Sequence, residues 1–225
     1  MSEKLDIITI DGPSGVGKST IARMLAAKLG YTYLDTGAMY RAIAYAARQR
    51  GIPATDEKAV EKLVNAIELT MEPADDPADD VRVFVDGSEV TPFLRTPETG
   101  MLASAISAVP AVRQHLTKLQ QQIGAAGKIV VEGRDTGTVV FPQARWKFYL
   151  DAEARERARR RARQLQKQGM EVSESEILAQ IRERDRQDQQ RTIAPLRAAD
   201  DAIRIDSTHM NAEQVVNTML SSIRG

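Results

Sequence analysis

Ile7-Ile8-Thr9-Ile10-Asp11-Gly12-Pro13-Ser14-Gly15-Val16-Gly17-Lys18-Ser19-Thr20 is the stretch on which the fold turns. Its first four residues are β-branched and read as a short strand. Residues 11–15 then break the pattern, and an apolar helical period resumes at Ile21, Met24, Leu25 and Leu29. Between strand and helix, Gly12 to Ser19 fits G-x-x-x-x-G-K-[ST], and that context separates a phosphate-binding loop from an ordinary glycine-rich turn. Glycines at 12, 15 and 17 let the backbone wrap until its N–H groups face phosphate oxygens, and the following helix adds its positive end. Lys18 is placed to neutralise β and γ oxygens, and the Ser19 hydroxyl to ligate Mg²⁺. The expected cradle is Gly12, Pro13, Ser14, Gly15, Val16, Gly17, Lys18, Ser19 and Thr20. Switches, motors, transporter subunits and small-molecule kinases share such a loop, so it implies a bound nucleoside triphosphate without saying what becomes of it.

Outward from the loop, the strand–helix rhythm recurs. Tyr31 to Leu34 reads as a strand and Ala38 to Gln49 as a helix; Lys128 to Val131, Trp146 to Leu150 and Ala202 to Ile205 are further short strands. The alternation predicts an α/β fold with a five-stranded parallel sheet flanked by helices. One segment departs from it. Glu68 to Met71, Val81 to Val85 and Glu89 to Val90 read as strands, with Asp86-Gly87 where a tight hairpin needs positive φ, so residues 66–96 or so form a small antiparallel insertion. Within it, Asp75 to Asp80, with Pro77, reads as a solvated acidic loop. There is no internal repeat and no linker, so residues 1–225 are expected to form one domain.

The 225 residues carry 31 Lys and Arg against 31 Asp and Glu, so no overall field draws the surface to nucleic acid or to an anionic membrane. Any anion site must be local. Absence of cysteine excludes disulfides, thiolate metal sites and Cys nucleophiles, and it suits a reducing compartment. The start, MSEKLDIITI, lacks a signal pattern, and no run approaches the roughly 18 apolar residues of a membrane span. A cytoplasmic monomer that binds small molecules, neither nucleic acid nor membrane, is the expectation. His115 and His209 are isolated and read as structural; Trp146 and the methionines read as packing residues, with Met39 and Tyr40 as possible crevice residues.

A phosphoryl transferase needs a second anion site, converging cations and a means of excluding water. Arg41 follows Asp35-Thr36-Gly37 at the start of a helix, where it either meets a phosphate or stays exposed. Val130-Val131-Glu132-Gly133-Arg134-Asp135 carries a buried strand into a charge cluster, at the carboxyl end where ligands of open α/β sheets sit. Glu132 is either an acidic partner of Mg²⁺ through water or half of a buried structural pair. Ser173 and Glu176 form a capping-box pattern, after which Ile177, Ile181, Arg184, Asp188 and Arg191 share one face that turns from apolar to charged. That face either lines a polar cavity or is solvated. Arg155, Arg157, Arg159, Arg160, Arg161 and Arg163 crowd one predicted helix, about 153–170; their repulsion suits a phosphate-responsive lid, with a nucleic-acid patch as the competing reading.

With these residues together, the chain resembles the bacterial cytidylate kinases, a family of P-loop nucleoside monophosphate kinases, along almost its whole length. The resemblance is carried by Ile10-Asp11-Gly12-Pro13-Ser14-Gly15, Leu34-Asp35-Thr36-Gly37-Ala38-Met39-Tyr40-Arg41, Glu132-Gly133-Arg134-Asp135-Thr136-Gly137-Thr138-Val139-Val140-Phe141-Pro142, and Glu183-Arg184-Asp185 through Asp188 to Arg191-Thr192-Ile193-Ala194-Pro195. It implies a P-loop kinase fold with a monophosphate-binding insertion and a short helical lid. It also implies transfer of the γ-phosphoryl of Mg-ATP to CMP or dCMP. Arg41, Arg134 and Arg191 would surround the acceptor phosphate, and Arg157, Arg160 and Arg161 would belong to the lid over ATP. Arg184 and Asp188 would hold the sugar, Ser104, Arg113 and Asp135 the cytosine edge, and Thr36 would stand where serine is common. Kinases of UMP, AMP or shikimate are the rivals nearest in chemistry. A GTPase switch is the rival from another class, and the chain has no N-K-x-D guanine motif.

Overall fold

The computed structural model describes residues 5–74, 76, 81–167 and 169–224. Strand β1 (Leu5–Asp11) is the middle strand of a five-stranded parallel sheet. Its Ile7, Ile8 and Ile10 are buried on both faces, as β-branched residues are in a sheet covered on two sides. Helix α1 (Lys18–Leu29) returns the chain to β2 (Thr32–Asp35), and Gly30 ends the helix in the left-handed region, donating to Ala26 O and Ala27 O. Helix α2 (Thr36–Gln49) starts two residues before the apolar pattern does. The Asp35 carboxylate accepts the Ala38 N–H at 2.8 Å and so caps it.

After α3 (Glu57–Ala66) comes the antiparallel sheet of β3 (Leu69–Glu72), β4 (Arg82–Val85) and β5 (Ser88–Glu89). Asp86 and Gly87 both have positive φ, 50° and 76°, as the hairpin requires. Val83 and Val85 are buried in the same apolar cluster as Ile43 and Ala47 of α2, so the insertion shares a core with the main sheet. The expected acidic loop at Asp75 to Asp80 lies outside the described residues except for Asp76, which is exposed.

Helices α4 (Pro97–Ile106) and α5 (Pro110–Gly124) precede β6 (Ile129–Gly133). A wide π-type turn at Thr136–Val140 leads to β7 (Ala144–Asp151). Then follow α6 (Ala154–Lys167), α7 (Glu174–Gln190), β8 (Ile203–Asp206) and α8 (Ala212–Arg224). Strand order is β2-β6-β1-β7-β8. One apolar cluster joins β1 and β6 to α2–α5; another joins the sheet to α1 and α8. Ala158, Ala162, Leu165, Ile177 and Ile181 make a satellite core between α6 and α7.

The expected strand bounds shift by at most two residues: Tyr31, Lys128 and Ala202 precede their strands, and Val81 and Val90 flank theirs. The capping box does not form. Ser173 stands at the N-cap of α7 without a side-chain cap bond, because its hydroxyl pairs with that of Ser175 at 2.7 Å. A nearer hydroxyl has outcompeted the backbone N–H.

Candidate active site

The parallel register sets the geometry. Asp35 pairs with Glu132, Ile10 with Glu132, and Asp11 with both Gly133 and Tyr149, so β2, β6, β1 and β7 deliver their carboxyl ends to one rim. The phosphate loop leaves β1 at that rim. A Cβ on Gly12 would lie 2.1 Å from the carbonyl oxygen of Leu150, so the loop begins pressed against β7 and admits no side chain there. Gly15 and Gly17 take φ of 75° and 97°, which turns the loop into α1. Pro13 and Val16 are buried, whereas Gly15, Gly17 and Thr20 face solvent and Ser14 is half-buried.

The Lys18 ammonium is buried and donates to Gly12 O at 2.9 Å and to Pro13 O at 2.8 Å. Burial and the nearby Arg134 charge push its pKa down to about 7, against the pull of Glu132 and Asp188. The Ser19 hydroxyl hydrogen-bonds to Glu132, whose carboxylate also accepts from the Tyr33 hydroxyl. Burial and the Asp35 charge raise the Glu132 pKa; Lys18 and these two hydroxyls oppose the rise. Glu132 therefore stands beside the phosphate loop as the sequence suggested, and no buried cation makes a salt bridge with it within the described residues. The Thr36 hydroxyl donates to Glu132 O at 2.7 Å, which ties the start of α2 to β6.

Asp11 ends β1 in full burial. Its carboxylate accepts from Thr136 N at 2.9 Å, Thr136 Oγ1 at 2.8 Å and Gly137 N at 2.8 Å. Burial nevertheless lifts its pKa to about 6. These bonds fix the turn that carries Arg134 and Asp135.

Beyond that turn the cations converge. Arg134 Nε donates to Asp188 at 2.7 Å, and Arg191 approaches Asp188 at 3.7 Å and Asp135 at 3.9 Å. Arg113 binds Asp135 at 2.8 Å, donates to the Tyr40 hydroxyl at 3.3 Å and lies 5.6 Å from the centre of its ring. Arg184 is pushed down to about 10 by burial and by the Arg134 charge, with Arg41 adding to the repulsion and Asp188 opposing it. Arg41 is held by Asp35 at 2.9 Å. The Asp35 carboxylate sits below its usual range although burial works against this, because Arg41 and Arg95 flank it. Ser104 is half-buried, with its hydroxyl 3.4 Å from Gln187, next to Asp188 on α7. Buried Nε atoms of Arg41, Arg113 and Arg184 and Nη2 of Arg191 lack acceptors, so the wall keeps donors in reserve. Arg134 and Arg191 thus meet at Asp188, and Arg41 and Arg134 both lie near enough to Arg184 to repel its charge. Tyr40 joins this cluster through Arg113, whereas Met39 is a fully buried core residue.

The six arginines of α6 are not equivalent. Arg157 is buried and donates to Ala152 O at 2.9 Å, Ser14 O at 2.9 Å and Asp185 at 2.7 Å, stitching α6 to the phosphate loop and to α7. Arg160 donates to Glu156 at 3.2 Å and Ser207 O at 2.6 Å. Arg161 donates to Gln164 and is depressed by burial and by the charges of Arg95 and Arg41, so it faces the crevice. Arg155, Arg159 and Arg163 are exposed. Protein acceptors relieve much of the crowding foreseen from the sequence. Asp11, Tyr33, Arg95 and Asp185 are site neighbours that sequence reasoning left without a role; Asp11 and Asp185 lie inside the quoted motifs, and Arg95 carries no local signal at all. Among the described residues no group of three or more His, Asp or Glu is placed to hold a metal by itself.

A glycine-wrapped loop after the central strand, a lysine and a hydroxyl opening the next helix, and a cluster of arginines beyond β6 define a P-loop kinase. A family model for cytidylate kinase matches residues 8–225. The chain belongs to the cytidylate kinase family. It is 48% identical over 217 residues to a cytidylate kinase of Syntrophotalea carbinolica, covering 96% of this chain and 91% of that one. It is also 48% identical over 218 residues to a bifunctional pantoate ligase/cytidylate kinase of Synechococcus sp., where the match covers 97% of this chain and spans 40% of that protein's length. Among solved structures, an uncharacterized protein from Eubacterium ventriosum superposes with a TM-score of 0.52 at 12% identity over 98% of this chain and 99% of that one, a likeness of fold alone.

Proposed function

We propose that this protein transfers the γ-phosphoryl of Mg-ATP to CMP or dCMP, giving CDP or dCDP and ADP. The observation that carries the reading is the meeting of two anion sites on neighbouring strands. Lys18 follows β1 and Arg134 follows β6, adjacent parallel strands whose carboxyl ends pair Asp11 with Gly133, and Arg134 shares Asp188 with Arg191. Two phosphorylated ligands held there face each other. An oxygen of the acceptor's α-phosphate attacks the γ-phosphorus, and the bond to the bridging oxygen of ADP breaks. A phosphate dianion is already a competent nucleophile, so no general base is needed and charge neutralisation with alignment supplies the rate.

The cradle for ATP is Gly12 to Thr20, with Lys18 on the transferring group. Magnesium fits the donor set: the Ser19 hydroxyl and the Glu132 carboxylate are hard oxygens already in contact, suited to a cation that keeps waters and shares phosphate oxygens. When bound, it would neutralise phosphate charge; Ser19 would hold it directly and Glu132 through water. On the acceptor side, Arg41, Arg134 and Arg191 take the phosphate, and Arg184 and Asp188 take the sugar. Ser104, Arg113 and Asp135 take the base, with Thr36 at the head of α2. Arg113 and Asp135 present donors and an acceptor side by side, the pairing that a cytosine edge calls for. Arg157 holds the phosphate loop to α6, while Arg160 and Arg161 complete the cover over ATP.

The same reading has the 1–225 chain working as one domain, a monomer in the cytoplasm whose partners are small nucleotides, not nucleic acid or membrane. No helix among the described residues is long and apolar enough to cross a membrane. The test is an acceptor panel. With Mg-ATP, release of ADP should accelerate with CMP and dCMP well above UMP, AMP and shikimate. Slow ATP hydrolysis unaffected by CMP would defeat the assignment.

A further inference from the structure

We propose that Arg95, carried by the antiparallel insertion, is a further ligand of the acceptor's phosphate, acting with Arg41 across the Asp35 carboxylate. The inference rests on the nucleotide-acceptor reading above. Arg95 follows the short turn Thr91–Phe93 after β5. Its backbone is held firmly. Leu94 is buried in the main core, the Phe93 ring stacks on Tyr45 of α2 at 5.3 Å and 12°, and the Thr99 hydroxyl donates to Phe93 O at 3.2 Å. Tyr45 lies four residues after Arg41, on the same face of α2, so the stack sets the insertion over the turn that bears Arg41.

The result is a meeting of α2 and the insertion at one carboxylate, with α6 close by. Arg41 from α2 reaches Asp35 Oδ2 at 2.9 Å, and Arg95 from the insertion reaches the same atom at 3.6 Å. Arg161 from α6 lies close enough for both to repel its charge. Asp35 has its other oxygen committed to the Ala38 N–H. A single carboxylate, half used as a helix cap, is therefore shared by guanidinium groups whose planar forks suit phosphate oxygens. The Arg95 side chain is 41% exposed and stands at the mouth of the cavity, whereas the Asp35 side chain is 5% exposed, at its floor. A dianion entering from solvent meets Arg95 first and is passed to Arg41 beneath it. The small cleft that Asp35, Ala38 and Arg41 share with Val83, Leu94 and Arg95 marks the same place.

The experiment compares CMP with cytidine, which has the base and sugar but no phosphate. Arg95→Ala should raise the KM for CMP by about tenfold or more, with the ATP dissociation constant moving less than about twofold. Cytidine should inhibit wild type and variant with equal constants, and Arg95→Lys should recover part of the loss. Thermal unfolding of each variant verifies that the half-exposed side chain has been replaced without loss of fold. An unchanged KM for CMP overturns the proposal. So does an equal weakening of CMP and cytidine, which would mark Arg95 as a prop of the insertion. If the wild-type protein refuses CMP and phosphorylates another monophosphate, the cytidylate reading falls, and Arg95 is then judged by the same ratio on that acceptor and its dephosphorylated form.

Discussion

Gly12→Ala is the sharpest single perturbation of the donor side. The new methyl would stand 2.1 Å from Leu150 O, where contacts under 3.0 Å essentially never occur, so loop and strand must separate by 0.9 Å. The opposing atom is backbone in β7, held on one side by β1 and on the other by β8, and it cannot rotate away. Overpacking of this kind costs about 1–3 kcal/mol of stability. The larger effect is on catalysis, since a displacement of about 1 Å between reacting groups lowers the rate roughly 100-fold. Steady-state kinetics with CMP and Mg-ATP, beside urea unfolding, would separate the two effects. Gly30→Ala is the control: it also has positive φ, 66°, but nothing lies within 4 Å of its Cβ, so it should lose about 1 kcal/mol of stability and keep its turnover. Gly12→Ala turning over within about threefold of wild type would refute the claim that this contact sets the reacting distance.

Lys18→Met should lower kcat by roughly 100- to 1,000-fold, about 2.7–4 kcal/mol of transition-state stabilisation, in a single-turnover assay; near-normal turnover would remove Lys18 from the chemistry. Asp188→Asn leaves Arg134 and Arg191 facing a neutral group and should destabilise by about 3–5 kcal/mol in urea while raising the KM for CMP, and a loss below about 1 kcal/mol would contradict the burial argument. Asp11 gives a pH signature. With its pKa raised from 3.8 to about 6, the native protein binds more protons than the unfolded chain between these values, so this group makes stability fall as pH rises through that window and leaves it flat above. The change is roughly 3 kcal/mol. Unfolding at pH 4.5 and 7.5 should show that slope in wild type and its loss in Asp11→Asn, and parallel profiles would rule it out.

The parts legible in the sequence were those written locally. The phosphate loop, the five buried runs and the Asp86-Gly87 turn each follow from neighbouring residues whose torsions or burial leave few choices. Helix α2 beginning at Thr36 was legible only in part, because the Asp35 cap acts before the apolar period starts. Strand order was not written locally, nor was the meeting of Arg95 with Asp35, a pair sixty positions apart in the chain. Arg157 shows the same limit in a different form. Its neighbours suggest a crowd of like charges, yet Ser14 and Asp185, each far off in sequence, absorb it. Ser173 shows that even a local motif fails when another hydroxyl takes the bond meant for the helix amide.

The sheet order has a consequence for how the enzyme can be tuned. The phosphate loop springs from β1 and the arginine-bearing turn from β6, adjacent strands within the sheet that Asp11 buttons together. The insertion and α6 approach the same cavity from its rim. Drift in sequence or temperature that loosens the rim will change how often the nucleotides are seated, and so KM, while kcat stays tied to the sheet. Variation in the outer elements can thus adjust the working concentration range without touching the distance over which the phosphoryl group travels.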